Sequence, residues 1–215
     1  MSDLTSAAID LLKDLIGLPS FSKQEDKTAN RIGEWFNHYG IPYEREGNNL
    51  WAKNKAFDPQ KPTLLLNSHH DTVKPNAAYT NDPFEAKILD GKLYGLGSND
   101  AGGALVSLIA LFTHYFDKEN PKYNLLVVAS AEEEIAGDNS LRGLIPKLPK
   151  IDVAIVGEPT EMNLAVAEKG LIVFDAVIKG TPGHAAHPNA DNPIMKLPEV
   201  LNWFENFKLQ KYSDF

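Results

Sequence analysis

The sequence predicts an α/β fold with a mostly parallel sheet and helices on both faces, and three observations predict it. Four apolar runs, TLLLNS, KLYGLG, NLLVVAS and DVAIVG, read as buried strands. Stretches with helical spacing lie before and between them, which gives a βαβ rhythm. Acidic residues or histidine follow each run, and in open α/β sheets ligands bind in the crevice beyond the strand ends.

Taken in order, Leu4, Ala7, Ala8, Leu11, Leu12 and Leu15 recur at helical spacing and stop at Gly17 and Pro19. A second helix is expected over 25–39, with Ile32, Trp35 and Phe36 inward and Gly40 as its stop. Strands follow at 50–53 and 63–68. Residues 71–92, rich in Pro, Asn and Asp, read as loop and turn. An apolar helix is expected over 101–116, opened by Gly102 and Gly103. Buried strands are expected at 123–130 and 152–156, with a short helix near 140–144 between them. Residues 171–179 alternate less cleanly, and an amphipathic stretch covers 192–207. Pro198 would cost about 3 kcal/mol in a helix interior. It is therefore expected in a first turn, with the helix proper over 199–207. A boundary near Gly170 divides the chain into a first domain over 1–169 and the beginning of a second over 170–215. The second segment is too short to stand alone.

Composition narrows the function classes. With 43% hydrophobic and 23% charged residues the chain has material for a core. A net charge of −8 argues against nucleic acid and anionic membranes as partners. There is no cysteine, so any metal must be held by oxygen and imidazole. The polar start lacks the order of a signal peptide, and no apolar run reaches the roughly 18 residues of a membrane span. A cytoplasmic protein is the expectation.

The motifs behind the strands carry the chemistry. In SHHD, residues i and i+2 share a face of an extended segment, so His69 and Asp71 can point together while His70 points away. That suits a metal-ligating imidazole oriented by a carboxylate, and equally a polar loop containing histidine. GLGSNDAGG resembles the start of a dinucleotide fingerprint, but Asp100 stands where its third glycine belongs and would repel pyrophosphate. An aspartate at such a turn suits a carboxylate bridging two metals, or a plain helix N-cap. In AEEE, a solvated acidic loop is the simpler reading taken alone. Behind a strand, one glutamate can bind metal while its neighbour accepts a proton from water. Glu158 in GEPT sits where proline fixes a turn. His184 in GHAAHP could donate to a developing oxyanion, although a surface loop histidine explains it as well. One imidazole and several carboxylates converging behind the sheet suit a divalent metal, zinc first.

Together, SHHDTV, GLGSNDAGG, AEEE, GEPT with a following EKG, and GHAAHP occur in one order from residue 4 to about 207. This resembles the zinc-dependent family of acetylornithine deacetylase, succinyl-diaminopimelate desuccinylase and carboxypeptidase G. NSHHDTVKP, LYGLGSNDAGG and VGEPTEM are most similar to the acetylornithine or acetylcitrulline deacetylase branch. The resemblance implies a zinc-peptidase-like catalytic domain followed by an α+β lid and dimerisation domain. It implies two zinc ions per complete subunit, with cobalt as a substitute. His69 and Glu158 would bind one ion, Asp100 both, and Glu134 the second. Asp71 would orient His69, and Glu133 would be the general base for attack by metal-bound hydroxide. His184, from the lid, would reach the partner subunit's site in a homodimer. The implied reaction removes an acetyl or succinyl group from an N-acyl amino acid such as ornithine or citrulline, in amino-acid biosynthesis, arginine biosynthesis included. The alternative is a dipeptidase or carboxypeptidase of the same family.

One departure stands beside the match. The family pattern includes a further histidine ligand after the lid, and none of the six histidines here lies beyond His187. The sequence is thus expected to be the N-terminal part of a longer protein, with a weak second metal site, and inactive alone as a metal-binding fragment.

Overall fold

The computed structural model describes residues 2–119, 121–167, 170 and 172–208. Glu168 and Lys169 of the EKG motif, and Leu171 at the start of the 171–179 stretch, lie outside the described residues. The chain divides into two compact units, Met1–Met162 and Asn163–Phe215.

Two amphipathic helices open the first unit, α1 (Ser2–Ile16) and α2 (Asp26–His38). The strands β1 (Glu44–Glu46), β2 (Asn49–Lys53) and β3 (Thr63–His69) follow. After them come β4 (Lys87–Leu89), β5 (Lys92–Tyr94) and α3 (Gly103–Tyr115). Strand β6 (Asn124–Ser130), the one-turn α4 (Leu141–Leu144) and β7 (Val153–Val156) complete it. Five of these strands form one sheet of order β1-β2-β6-β3-β7. Strands β6, β3 and β7 are parallel, and β2 and β1 extend the sheet antiparallel on one side.

Period-two alternation sorts the sheet residues between two cores. Leu50, Ala52, Leu66, Val127 and Ala129 face α1, α2 and α3, where they meet Leu11, Ile32, Phe36, Leu105, Ile109 and Phe112. Trp51, Leu65, Leu126 and Val128 face the other way and pack on Leu144 of α4. Each fully buried Leu, Ile or Phe contributes about 1.5–3 kcal/mol relative to exposure. The three-helix core therefore dominates the stability of this unit. It also holds α3 behind β3, which fixes the turn that precedes α3.

The structure departs from the sequence-based expectations at four places. KLYGLG is not a buried strand: among the described residues β5 pairs only with β4, in an exposed two-stranded hairpin whose first strand falls in the segment expected to be loop. Asp90 and Gly91, both at positive φ, make its tight turn. Strand β7 is an exposed edge rather than a buried strand, because among the described residues it pairs with β3 alone. The helix expected from residue 101 starts at Gly103, since Ser98–Gly102 form a wide turn with non-helical Asp100 and Ala101.

The fourth departure is in the second unit, whose one helix among the described residues is α5 (Pro193–Asn206). Its N-cap is Asn192, which accepts the Ile194 N–H at 3.0 Å, and Pro193 occupies the first helical position. Pro198 therefore lies inside the helix and not in its first turn. The cap at Asn192 starts the helix early enough that Pro198 falls past its first turn, where its nitrogen cannot donate to the Ile194 carbonyl. Ahead of α5, the Thr181 hydroxyl donates to Asp191 Oδ2 at 2.6 Å and Asn189 Nδ2 donates to the Thr181 carbonyl at 2.8 Å. These bonds close the loop that carries His184 and His187. No helix among the described residues is long and apolar enough to cross a membrane.

Candidate metal centre

The parallel pairing of β3 and β6 sets His69 opposite Ser130, so both chains leave the sheet at the same level. Strand β7 ends one step away: Val156 pairs with Asn67, and the Gly157 N–H donates to the Asn67 carbonyl at 2.7 Å. Gly157 is required by a close approach. A Cβ there would lie 2.9 Å from Ala104 Cβ and 3.0 Å from Leu108 Cδ1, both on α3. The fourth segment is the wide turn before α3, where Gly97 adopts a φ of 76° ahead of Asp100.

These segments converge on His69, which is fully buried in the sheet. Its Nε2 lies 3.2 Å from Asp100 Oδ1, 3.7 Å from Glu133 Oε2 and 3.8 Å from Glu158 Oε2. Ligand atoms of His69, Asp100 and Glu134 lie within 4.8 Å of one another. Asp100 and Glu133 are more than half exposed and Glu158 about a third, so the cluster opens to solvent while its imidazole does not.

Asp71 is buried behind the imidazole. His69 Nδ1 lies 3.0 Å from the Asp71 carbonyl oxygen and 3.4 Å from its Oδ1. A carbonyl only accepts, so Nδ1 carries the proton and Nε2 faces the carboxylates. The Asp71 carboxylate also accepts the Ser22 hydroxyl at 2.7 Å, the Glu133 N–H at 3.1 Å and the Glu134 N–H at 3.2 Å. Burial raises its pKa, but the bonds from His69, Ser22 and the Glu133 amide more than reverse this and hold it below the usual carboxylate range.

The electrostatics of the cluster ask for a cation. Burial depresses the His69 pKa, yet the hydrogen bonds to Asp71 and Glu158 and their charges push it up to about 11. Burial and neighbouring carboxylates push Glu133 and Glu134 upward, with the His69 charge opposing. An imidazole surrounded by four carboxylates on an open face is a donor set that suits one or more divalent cations. The same acids without a cation repel one another.

His70, one residue on, points away as the alternation requires. It is buried, with Nε2 at 2.9 Å from the Asn48 carbonyl and Nδ1 at 2.8 Å from the Thr28 hydroxyl. Burial lowers its pKa. His184 lies in the second unit, exposed; its Nδ1 accepts the Ala186 N–H at 3.2 Å and its ring sits 5.6 Å from that of His187. Ser22, Thr28, Asn48 and Glu25 support the cluster without having been singled out in the sequence. The one local signal was a Gln-Glu pair just before an amphipathic helix.

Comparison with known proteins places the chain among metal-dependent peptidases and hydrolases by sequence and fold. Residues 65–207 match Peptidase family M20/M25/M40. A succinyl-diaminopimelate desuccinylase of Rhodospirillum centenum is 29% identical over 90% of this chain and 55% of its own length. The chain thus spans a little over half the length of the curated relatives it matches. An M20 family metallo-carboxypeptidase of Sulfolobus solfataricus superposes with a TM-score of 0.58 at 26% identity, over 70% of this chain and 37% of the other. A dinuclear metal-binding peptidase of Bacillus subtilis shares the fold with a TM-score of 0.56 at 20% identity, over 73% and 43%.

Proposed function

Because the chain belongs to peptidase family M20/M25/M40, we propose that it carries the chemistry of a metal-dependent amidohydrolase that removes an acyl group from an N-acyl amino acid. The observation that carries this reading is the convergence of carboxylates from three separate segments on the buried Nε2 of His69. In this reading His69 and Glu158 would hold one zinc ion, Glu134 would hold a second and Asp100 would serve both. The metal would supply a lowered pKa to water, toward about 7, and a polarising charge for the amide carbonyl.

The chain's own groups do the rest. Glu133 accepts the proton of the attacking water and returns it to the departing amine, so that one amide and one water become one acid and one amine. Burial and neighbouring carboxylates raise its pKa, which makes it a better proton acceptor than an ordinary carboxylate. Asp71 fixes the ring of His69 and the backbone of the two glutamates. His184 donates to the oxyanion, from the partner subunit of a homodimer.

The desuccinylase relatives support a succinyl group as the part removed, and the sequence resemblance favours an acetyl group on ornithine or citrulline. A dipeptidase or carboxypeptidase is the second reading, favoured by the likeness to a metallo-carboxypeptidase. Turnover by the zinc-loaded full-length protein on N-acetylornithine, N-acetylcitrulline, N-succinyl-diaminopimelate and simple dipeptides decides between them. Faster hydrolysis of an N-acyl amino acid is expected. Hydrolysis of dipeptides alone selects the second reading, and zinc binding without any turnover would leave a metal-binding module.

A further inference from the structure

Glu25 lies outside the acidic cluster, fully buried at the entrance to α2. A buried carboxylate is costly unless hydrogen bonds replace its water, and the bonds it accepts describe its role. One oxygen takes the backbone N–H of Lys23 at 2.8 Å and of Glu132 at 3.1 Å. The other takes Asn48 Nδ2 at 2.8 Å. Glu132 begins the acidic triplet, so Glu25 holds the amide next to the two that Asp71 holds. The Ala131 N–H goes to Asn49 Oδ1 at 3.0 Å. Four consecutive amides, 131 to 134, are thus each held by a side chain from another part of the chain. Within this turn Glu132 adopts a φ of 54°, a left-handed conformation that persists in a non-glycine residue only when its surroundings enforce it.

The same carboxylate is connected to the segment after β3. Asn48, its partner on one side, accepts from His70 through its carbonyl, and Thr28 closes the ring on the other nitrogen of His70. A single buried group therefore links the start of α2, the turn before β2, the His69–Asp71 segment and the acidic turn.

We infer that Glu25 is a positioning residue: its carboxylate sets the acidic turn so that Glu134 faces the metal ligands and Glu133 faces the attacking water. The inference rests on the roles given above to Glu133 and Glu134.

Glu25→Gln tests it in the full chain. The substitution keeps the shape and one oxygen but sets an amide NH2 against Asn48 Nδ2. Adding Asn48→Asp restores a donor–acceptor pair with reversed polarity. Glu25→Gln is expected to lower kcat by about 10- to 100-fold at unchanged KM and to weaken zinc binding, read by calorimetric titration, by a similar factor. Amide exchange at residues 131–134 should accelerate. The double variant should recover most of all three. A purely structural role would lower the unfolding midpoint and leave zinc affinity, kcat and the rescue unaffected, which overturns the inference. Should Glu25→Gln not fold, Asn48→Ala at a half-buried position removes the same donor, and wild-type zinc affinity there overturns it too. Glu133→Gln measured alongside separates the two levels. If that variant turns over normally, the assignment of the acidic turn fails; if it is inactive while Glu25→Gln behaves as wild type, only the positioning role fails.

Discussion

Strands β6 and β7 look alike in sequence, NLLVVAS and VAIV, and each is followed by glutamates at the cluster. Their surroundings differ. Strand β6 has neighbours on both sides, Val127 is fully buried, and the acidic turn beyond it is held by Asn49, Glu25 and Asp71. Strand β7 pairs with β3 alone, and Val153, Ile155 and Val156 are 61%, 47% and 52% exposed. The turn after it is tied by the Gly157 N–H to the Asn67 carbonyl and by the Ser68 hydroxyl to the Gly157 carbonyl at 2.8 Å. Glu133, proposed above to handle the proton, thus stands on the rigid side, and the proposed ligand Glu158 on the lightly held side. A ligand can be pulled into place by its ion, whereas a base must already be in place when water arrives.

The sharpest break of this contrast is Glu133→Gln. Turnover is expected to fall by a factor of about 10² to 10⁴, with zinc content by elemental analysis unchanged; normal turnover would remove Glu133 as the base. Next, Leu126→Ala in β6 should destabilise by about 2–5 kcal/mol in denaturant titrations. A value near zero would mean that β6 is not the central support it resembles. Glu158→Ala should weaken zinc binding by about 10- to 100-fold while leaving the unfolding midpoint of the metal-free protein near wild type. Loss of stability instead would place Glu158 on the rigid side.

The metal-free protein should also show the charge imbalance of the cluster in its pH dependence. The His69 pKa is raised, so its contribution to stability is complete below its ordinary value of about 6.5. It is lost progressively as pH rises through about 11. Asp71 is depressed, so its contribution is present above the ordinary carboxylate range and fades as pH falls through its folded value. Thermal unfolding in chelator should therefore weaken toward both extremes, and His69→Gln should flatten the alkaline side. The smallest effect is expected at the edge: Ile155→Thr on β7 should change stability by about 0.5 kcal/mol or less. A larger loss would show that the exposed strand is more tightly packed than its neighbours indicate.

The sequence carried much of this. Helical spacing located α1 and α2, and apolar runs located β3 and β6, because both signals come from one face meeting one core. His69, Asp71, Asp100, Glu133, Glu134 and Glu158 could be singled out because each follows a recognisable local pattern. What was not legible depends on neighbours. VAIV reads as a buried strand, since apolarity says nothing of whether a strand has one partner or two. KLYGLG reads the same way, though its partner is a three-residue strand in a segment full of turn formers. Glu25 before α2 reads as an acid at a helix start, and its bond to the Glu132 amide spans 107 residues that no local pattern connects.

Asn67 offers a last consequence. Buried between β3 and β6, its amide NH2 donates to the Val128 carbonyl at 3.1 Å and to Ser130 Oγ at 3.1 Å. Sliding β3 along β6 by a single residue would swing this amide into a layer of aliphatic side chains and strand both protons without acceptors. The pairing that brings the histidine level with the acidic turn is thereby favoured over its one-residue slip by an uncharged polar pin that asks nothing of any ion.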